Sequence, residues 1–431
     1  MEATINIVII GGGFAGVNLV NHLTNVRGFR VTLVDKNNYN FFPPLLYQVS
    51  TGFLDVSNIC YPFRKLFYYK KNVRFRLGEL QKILPGQRKV LLSNGELEYD
   101  ILILATGTES NYFGIENIKK IAIPMKTVDD AINMRNVLLM KMEQATLTVS
   151  ETERKSLTTI VVAGGGPTGV EVSGMLAEMR ANIFKKDYPE LADQKLEIYL
   201  VDGAPGLLGP MSRPAQEYTL RKLTEMGVIV KLNKLVKDYV DGAVVFADGE
   251  RIATQLLIWT AGVTSGVFDG IPKESYGRGR RVLVNEYNEV QGLKNIYAVG
   301  DTCLQTTDPN FPNGHPQLAQ VAIQQGKSVA DNLKAGTAHR PVRPFLYHDK
   351  GSMAIIGRSK AVADLPKPKM HFNGFLAWLM WLFVHLFSLI NFRNRLFTFY
   401  NWAIAFFTKD QSLRMIVRPD IDRDETGFDK H

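Results

Sequence analysis

The sequence predicts an α/β protein with two similar parallel-sheet domains and an apolar, helix-forming C-terminal region. Two observations predict the domains: a β-branched apolar run leads into a GxGxxG glycine pattern near residue 11 and again near residue 164, and a helix-forming segment follows each pattern. Strand, glycine turn and helix in this order are typical of Rossmann-like units, which bind dinucleotide phosphates at the helix N-terminus. The third observation is the apolar run Phe375 to Ile390, which predicts the C-terminal helices.

The first glycine pattern follows a predicted strand, Ile5 to Ile10, and consists of Gly11, Gly13 and Gly16. The first glycine permits the tight turn, the second lets a pyrophosphate approach the backbone, and the third lets the helix lie close to the strand. The next predicted strand ends at Asp35, roughly 20 residues beyond the glycines, where an acid accepts a hydrogen bond from a ribose 2′-OH. Together these features predict a dinucleotide site.

The remainder of the first domain contains short strands and one aromatic loop. The loop, residues 37–59, contains Pro and several aromatic residues, and it could either cap the sheet or line a ligand. A strand is predicted over Val73 to Gly78, and the NG turn at Asn94–Gly95 predicts a hairpin between Lys89 to Leu92 and Leu97 to Asp100. The following strand runs through Ala105 into Thr106–Gly107, which places backbone N–H groups at the edge of the sheet where ligands bind.

The second glycine pattern consists of Gly164, Gly166 and Gly169, with Pro167 and Thr168 between them, and it follows the predicted strand Ile160 to Ala163. We expect these residues to cradle a second pyrophosphate. A helix over Val128 to Gln144 precedes this unit.

A second acid, Asp202, follows the predicted strand Leu196 to Val201 and corresponds to Asp35. An acid at this position accepts from a free 2′-OH and repels a 2′-phosphate, so it favours NAD(H) over NADP(H). A later strand, Gln255 to Trp259, ends in Thr260, Ala261 and Gly262, a turn similar to Thr106–Gly107.

Glu171 lies two residues beyond the last glycine of the second pattern, in the predicted first helical turn. A carboxylate there is stabilised by the helix dipole, typically by about 0.3–1 kcal/mol, and this alone could explain the residue. Because the expected redox ligand binds beside it, we favour a catalytic role.

Two complete dinucleotide patterns in one chain predict two dinucleotides. Hydride transfer needs a donor and an acceptor, so the simplest pair is FAD in the first domain and NADH in the second.

Composition limits the other possibilities. The net charge of +9 suits either nucleic acid or an anionic membrane surface, and composition alone does not choose between them. The only cysteines, Cys60 and Cys303, form no CxxC pattern, so we expect neither a redox disulfide nor a zinc site. The N-terminal residues show no pattern of a secretory signal or transit peptide.

The C-terminal region is apolar and aromatic. The 16 residues from Phe375 to Ile390 span about 24 Å as a helix, less than the roughly 30 Å of a bilayer core. A second apolar run follows over 396–407, and Trp378, Trp381, Tyr400 and Trp402 favour helices that lie in the membrane interface. Eight cations and two acids between Lys334 and Lys369 give a local charge of +6, which suits anionic headgroups. A buried core helix or a dimer interface is the alternative.

Eight motifs resemble those of two-dinucleotide-binding-domain flavoproteins, and within them the type II NADH:quinone oxidoreductases. They are GGGFAG (11–16), FFPPLLYQVSTG (41–52), ATG (105–107), AGGGPTGVE (163–171), WTAGV (259–263), NIYAVGD (295–301), AQVAIQQG (319–326) and DKGSMAIIGR (349–358). The resemblance covers nearly the whole chain.

The resemblance implies a discontinuous FAD-binding domain, residues 1–115 and 266–335, with an NADH-binding domain, 116–265, inserted in it and a membrane-association region over 336–431. It implies that Gly300–Asp301 holds the FAD diphosphate and ribityl chain. The further FAD contacts that it implies are Phe14, Ala15, Lys36, Leu80, Leu318 and Ala319.

The quinone motif of the family falls on Ala319 to Gly326. Gln317, Gln320 and Gln324 recur at three and four residues, so on one helix they would share a face and could donate hydrogen bonds to a quinone carbonyl. A solvated polar helix face is the alternative. The residues we place at the reaction are Glu171, Gln320 and Gln324.

The implied function is that of a respiratory flavoenzyme that passes electrons from NADH through noncovalent FAD to a membrane quinone without pumping protons. We expect a monotopic, peripheral protein on the cytoplasmic face of a bacterial plasma membrane, with an anionic lipid surface as partner, a homodimer possible, and no nucleic acid or metal. The alternative is a membrane-associated NADH-binding flavoprotein whose redox state controls partner binding. Rapid quinone turnover would exclude that alternative as the main role.

Overall fold

The computed structural model describes residues 4–408 and 413–417. They form two compact units, the first from residues 4–41, 60–109 and 263–350, and the second from residues 42–59, 110–262 and 351–417 within the described range. Residues 42–59 therefore pack in the second unit, whereas the predicted domain bounds include them in the first. The described residues from 351 onward, 351–408 and 413–417, also belong to the second unit.

Short strands account for much of the chain. In chain order they are β1 (Ile5–Ile10), β2 (Phe29–Asp35), β3 (Tyr39–Phe41), β4 (Cys60–Pro62), β5 (Val73–Leu77), β6 (Leu80–Leu84), β7 (Lys89–Leu92), β8 (Gly95–Glu98), β9 (Ile101–Leu104), β10 (Glu109–Ser110), β11 (Ile123–Pro124), β12 (Thr159–Ala163), β13 (Glu197–Val201), β14 (Ile229–Lys231), β15 (Val236–Val240), β16 (Ala243–Phe246), β17 (Arg251–Ala253), β18 (Leu256–Trp259), β19 (Val263–Thr264), β20 (Val282–Val284), β21 (Ile296–Ala298), β22 (Cys303–Gln305), β23 (Ser352–Gly357), β24 (Lys360–Pro366) and β25 (Lys369–Asn373).

The helices are α1 (Phe14–Leu23), α2 (Leu46–Ser50), α3 (Val56–Ile59), α4 (Phe63–Leu66), α5 (Glu116–Ile121), α6 (Val128–Leu147), α7 (Glu151–Thr158), α8 (Pro167–Met179), α9 (Lys185–Asp187), α10 (Arg213–Glu225), α11 (Ala319–Thr337), α12 (Gly374–Ser388) and α13 (Phe392–Thr408). A π-helical turn, Arg180–Phe184, follows α8.

The first unit is built on a parallel sheet of strand order β21-β9-β1-β2-β5. The apolar run Ile5–Ile10 forms its central strand, because side chains on both of its faces are covered. Since all five strands are parallel, their carboxyl ends meet at one edge, where Asp35 ends β2 and the first glycine turn, Ala105 and Gly300 follow strands.

The second unit repeats this plan. Its parallel sheet has the order β11-β18-β12-β13-β14, with the fully buried β12 at the centre. The second glycine turn, Asp202 and Thr260 follow β12, β13 and β18 at one edge of this sheet. The predicted α/β class with two parallel sheets is therefore confirmed.

The predicted NG hairpin is also present, in the first unit. Strands β7 and β8 pair antiparallel, with Leu92 opposite Gly95. The second arm begins at Gly95, two residues earlier than predicted, because the ladder continues up to the turn.

The C-terminal part of the second unit is an antiparallel β23-β24-β25 sheet followed by α12 and α13. Ala377 and Trp381 of α12 and Asn394, Thr398 and Trp402 of α13 are buried, so one side of each helix packs on the protein. Across the described residues, no helix combines the length and apolarity needed to span a bilayer.

Candidate functional site

In the first glycine turn the middle glycine has room for a side chain, whereas the first and third glycines do not. Gly11 has φ +104°, and a Cβ there would lie 2.3 Å from the Ala105 carbonyl oxygen. A Cβ on Gly16 would lie 1.9 Å from the Gly11 carbonyl oxygen, so both outer glycines are required by backbone packing. A Cβ on Gly13 would meet no atom within 4 Å, and its backbone is extended (φ −76°, ψ −159°). The protein itself therefore does not require glycine at position 13, whereas a close ligand would.

Asp35 holds this turn from the neighbouring strand. Its Oδ2 accepts from the Gly12 N–H at 2.6 Å, and its Oδ1 accepts from the Asn37 N–H at 2.7 Å. Burial raises the pKa of Asp35, and these two bonds and the exposed Lys36 oppose that rise. A carboxylate has about four acceptor positions, so one on each oxygen is left for a ribose hydroxyl.

The second glycine turn has the same geometry. Gly164 has φ +111°, and a Cβ there would lie 2.5 Å from the Thr260 carbonyl. A Cβ on Gly169 would lie 1.8 Å from the Gly164 carbonyl oxygen, whereas a Cβ on Gly166 would again meet no atom within 4 Å. Pro167 is the first residue of α8, where its missing N–H costs no hydrogen bond.

Asp202 repeats the role of Asp35. Its Oδ2 accepts from the Gly165 N–H at 2.5 Å and its Oδ1 from the Ala204 N–H at 2.6 Å. The Thr260 hydroxyl donates to the Ala163 and Gly164 carbonyls at 2.8 and 3.0 Å, which fixes the turn that continues into Ala261 and Gly262.

Gly300 and Asp301 lie in a hydrogen-bonded turn of the first unit. The Gly300 N–H donates to the Gln325 side-chain oxygen at 2.7 Å, and the Thr108 hydroxyl reaches the Asp301 carboxylate at 3.5 Å. The Thr106 and Thr302 hydroxyls are 2.7 Å apart, which joins the turn after β9 to the turn after β21.

Gln325 was missed in the sequence, although it is almost fully buried and fixes Gly300. The available signal was the third glutamine of AQVAIQQG, which points to a different face of the helix from Gln324. Small residues complete the contact, because a Cβ on Gly326 would lie 2.6 Å from the Ala15 carbonyl oxygen. Helices α1 and α11, which begin at Phe14 and Ala319, therefore pack closely.

Two other predicted FAD contacts, Leu80 and Leu318, pack against hydrophobic clusters. Leu80 packs against the hydrophobic core of the first unit. Leu318 is the N-cap residue of α11, and it packs against a small aromatic cluster around Phe345 and Tyr347.

The three predicted quinone-facing glutamines do not share one helix face. Gln317 precedes α11, and its side-chain amide donates to the Asp301 carbonyl at 3.3 Å, so that part of the prediction was wrong. Gln320 accepts from the Lys350 N–H at 2.9 Å. Gln324 donates to the His348 carbonyl at 2.9 Å and accepts from the His348 N–H at 3.0 Å. Both helical glutamines therefore bind the segment 348–350.

Glu171 is the fifth residue of α8, beyond the first turn, so the helix-dipole explanation does not hold. Its buried carboxyl accepts from the Ile355 N–H of β23, and burial raises its pKa from 4.5 to about 8. Strand β23 approaches closely because residue 174 is glycine, where a Cβ would lie 1.7 Å from the Ile356 carbonyl oxygen. At neutral pH Glu171 is a protonated carboxylic acid that can donate a proton.

Helix α2 of the aromatic segment 42–59 contacts α8, the helix of Glu171, within the second unit. Tyr47 is buried, and its pKa is raised first by burial and then by the Glu171 charge. The Gln48 amide donates to the Tyr47 hydroxyl at 2.8 Å, and the Trp402 indole N–H donates to the Gln48 oxygen at 2.7 Å. A hydrogen-bonded chain thus joins the loop to α13.

Two parallel sheets, each with a glycine turn and an acid at its carboxyl edge, define an oxidoreductase-type protein with two dinucleotide-binding units. A family model described as pyridine nucleotide-disulphide oxidoreductase matches residues 5–326, and a model described as NDH2 C-terminal domain matches residues 349–410. The chain belongs to the type II NADH:quinone oxidoreductase family, in agreement with the resemblance seen in the sequence.

Individual relatives support this assignment. The chain is 34% identical to the Mycobacterium tuberculosis type II NADH:quinone oxidoreductase Ndh, with 93% of this chain and 88% of that protein covered. It is 35% identical to NdhA of the same organism, with 93% and 87% covered. Its fold is similar to that of Plasmodium falciparum NDH2 in complex with NADH, with a TM-score of 0.87 at 22% identity over 96% of this chain and all of that one.

Proposed function

We propose that this protein oxidises NADH and reduces a membrane quinone by way of a noncovalently bound FAD, without pumping protons. The observation that carries the proposal is the paired glycine–acid geometry, one copy in each unit, in a chain whose relatives are named NADH:quinone oxidoreductases. Two such sites fit one dinucleotide that gives up a hydride and one that accepts it.

FAD fits the first unit. The open backbone at Gly13 leaves room for a diphosphate at the N-terminus of α1, Asp35 has acceptor positions for a ribose, and Asp301 follows β21 at the same edge of the sheet. FAD, when bound, accepts a hydride from NADH and returns two electrons to a quinone. The role of the protein is to hold the diphosphate with backbone N–H groups and to orient the cofactor through Gly300–Asp301.

NADH fits the second unit, with Gly166 as the open position. The Asp202 carboxylate lies at the carboxyl end of β13, where a dinucleotide ribose would bind, and its charge would repel the 2′-phosphate of NADPH. NADH is therefore the expected electron donor.

Glu171 is the proposed proton donor for quinone reduction, because a carboxyl that is neutral near pH 7 can protonate the reduced quinone oxygen. We assign Gln320 and Gln324 to the quinone side of the site. Their bonds to residues 348–350 suggest that they act by positioning α11 and that segment.

Membrane attachment is proposed for the outer faces of α12 and α13. Phe383, Phe387 and Phe407 expose 63%, 55% and 80% of their surface, and further large apolar side chains of both helices are exposed beside them. The 15- and 17-residue helices carry a buried aromatic side as well, which suits helices that lie in the interface on an anionic lipid surface. Peripheral attachment to the cytoplasmic face of a bacterial plasma membrane is the proposed location.

The deciding experiment is steady-state NADH oxidation by the FAD-loaded protein, with a soluble quinone analogue and, in parallel, a water-soluble dye. We expect rapid turnover with both acceptors and a flavin absorbance spectrum that NADH bleaches. Proteoliposomes with a trapped pH indicator should show quinone reduction without proton translocation. Dye reduction without quinone reduction would favour the redox-controlled binding role, and a colourless protein would refute the proposal.

A further inference from the structure

A short segment of the first unit exposes two tyrosines between four cations. It runs from α4 through the turn that leads into β5, and its six residues, which we call the aromatic–cationic turn, are Arg64, Lys65, Tyr68, Tyr69, Lys70 and Lys71. Tyr68 and Tyr69 expose 76% and 86% of their surface, and their ring centroids are 4.8 Å apart. Single exposed aromatic side chains are normal, but two adjacent ones bordered by charge indicate an interaction surface.

The buried side of this segment is fixed by aromatic packing. Phe63 is fully buried, and its ring stacks on those of Phe67 and Phe75, with centroids 6.0 and 5.0 Å away. The Asn72 side chain accepts from the Asn25 N–H at 2.7 Å, which ties the end of the turn to the residues that follow α1. Because the segment is held in this way, its two tyrosines remain in solvent.

No acid neutralises the aromatic–cationic turn. Residues 56–78 contain six Lys and Arg and no Asp or Glu, so their charge is +6 in a chain whose net charge is +9. Within the part of the chain that the structure describes, none of these six cations forms a salt bridge. Such a concentration of unpaired positive charge attracts an anionic partner.

We propose that the aromatic–cationic turn is a second lipid contact, in which the cations bind anionic headgroups and Tyr68 and Tyr69 enter the interfacial layer of the bilayer. Tyrosine is typical of membrane–water interfaces, and each cation near an anionic surface adds to the attraction. The contact would attach the first unit to the bilayer as well as the second.

The position of the turn in the chain favours a bilayer over an acidic protein or a nucleic acid. Helix α3 contacts α13, a proposed membrane helix, within the second unit. It ends at Ile59, and the aromatic–cationic turn begins only five residues further along the chain, at Arg64. The identity of the partner therefore rests on the membrane attachment proposed above.

Sedimentation of the full-length, FAD-loaded protein with phosphatidylcholine vesicles, with and without phosphatidylglycerol, tests the charges. The lysine variant, Lys65→Gln with Lys71→Gln, should bind anionic vesicles at least about tenfold less tightly at low salt and neutral vesicles as the parent does. High salt should remove the difference. Lys119→Gln with Lys120→Gln, at the exposed end of α5, changes the net charge equally and should bind like the parent.

A second pair of variants tests the aromatic side chains. The tyrosine variant, Tyr68→Ser with Tyr69→Ser, should also bind anionic vesicles about tenfold less tightly, because two rings leave the interface. Its matched control is Leu147→Ser with Val149→Ser, which removes apolar side chains that are 77% and 98% exposed in the second unit and should not weaken binding.

Each variant is also combined with Phe383→Ser, Phe387→Ser, so that binding by α12 does not mask the turn. FAD absorbance and dye reduction show that the variants are folded. Parent-like binding by the lysine or the tyrosine variant in both backgrounds would overturn the proposal, as would an equal loss in the α5 control. Binding of an oligonucleotide through Lys65 and Lys71, with vesicle binding unchanged, would overturn it in favour of nucleic acid. These outcomes leave the proposed function intact, whereas a parent that binds vesicles but does not reduce quinone refutes only that function.

Discussion

Replacing Glu171 by Gln should make the protein more stable at high pH, because it removes a buried acid whose pKa is raised from 4.5 to about 8. The folded state binds the proton more tightly than the unfolded state. The stability due to this proton is therefore complete below about pH 4.5, is lost as the pH rises to about 8, and is constant above that. At about 1.4 kcal/mol per unit, the difference corresponds to at most about 5 kcal/mol.

Thermal unfolding of the FAD-loaded parent and Glu171→Gln at pH 5 and pH 9 measures this effect. The melting temperature of the variant relative to the parent should rise by roughly 10 °C between the two pH values, since about 1 kcal/mol corresponds to 2–4 °C for a unit of this size. Glu190→Gln removes an exposed carboxylate of the same unit and should show no such rise. A constant difference between Glu171→Gln and the parent at both pH values would refute the raised pKa.

Activity assays test the role of Glu171 independently of stability. Quinone reduction by the parent should decline above about pH 8, where Glu171 loses its proton, whereas dye reduction should not follow this profile. Glu171→Gln should retain FAD, reduce the dye normally and reduce the quinone slowly at every pH. Parent-like quinone turnover from pH 5 to 9 would restrict Glu171 to a structural role.

Four further predictions test separate parts of the site. Gly166→Ala should fold and keep its FAD, while its KM for NADH should rise at least about tenfold. The backbone at position 166 is extended and has room for a methyl group, which would face the pyrophosphate. An unchanged KM would contradict pyrophosphate binding at this turn. The parent should prefer NADH. In steady-state assays Asp202→Asn should raise kcat/KM for NADPH, relative to kcat/KM for NADH, about tenfold or more. The same ratio in the variant and the parent would exclude the role of Asp202. Gln325→Leu should lower the FAD-to-protein ratio measured by absorbance, because it leaves a buried backbone N–H unsatisfied at a cost of about 1–3 kcal/mol. The double variant Phe383→Ser, Phe387→Ser should sediment with anionic vesicles at least about 100-fold less strongly while dye reduction persists, since each buried Phe contributes about 1.5–3 kcal/mol; undiminished binding would argue against this face as the anchor.

Features that depend on neighbouring residues were predictable from the sequence. The glycine turns are such features, because Gly11 and Gly16 must each lie against backbone that is only a few residues or one strand away. The NG hairpin and the alternation of strands and helices follow from the same local rules. The acids Asp35 and Asp202 were predictable because each lies at the carboxyl end of the second strand of a βαβ unit, beside the glycine turn.

The surroundings of Glu171 were not predictable, because they depend on segments far apart in the chain. Gln48 and Trp402 are 354 residues apart, and no local periodicity links them. The helical periodicity that grouped Gln317 with Gln320 and Gln324 failed because the helix begins only at Ala319.

The burial of Glu171 depends on the packing of the second unit and not on its own helix, α8. An acid at the fifth position of α8 gains little from the helix dipole, and its raised pKa arises from burial on a helix that packs against β23, with the Ile355 N–H bond opposing the rise. Gly174 is required for that burial, because any side chain there would collide with the Ile356 carbonyl. The proton chemistry proposed for Glu171 therefore depends on the packing of the C-terminal part of the chain. A Gly174→Ala variant that moves β23 away should lower the pKa of Glu171 toward its ordinary value and shift the decline of quinone turnover to lower pH, even though the acid itself is unchanged.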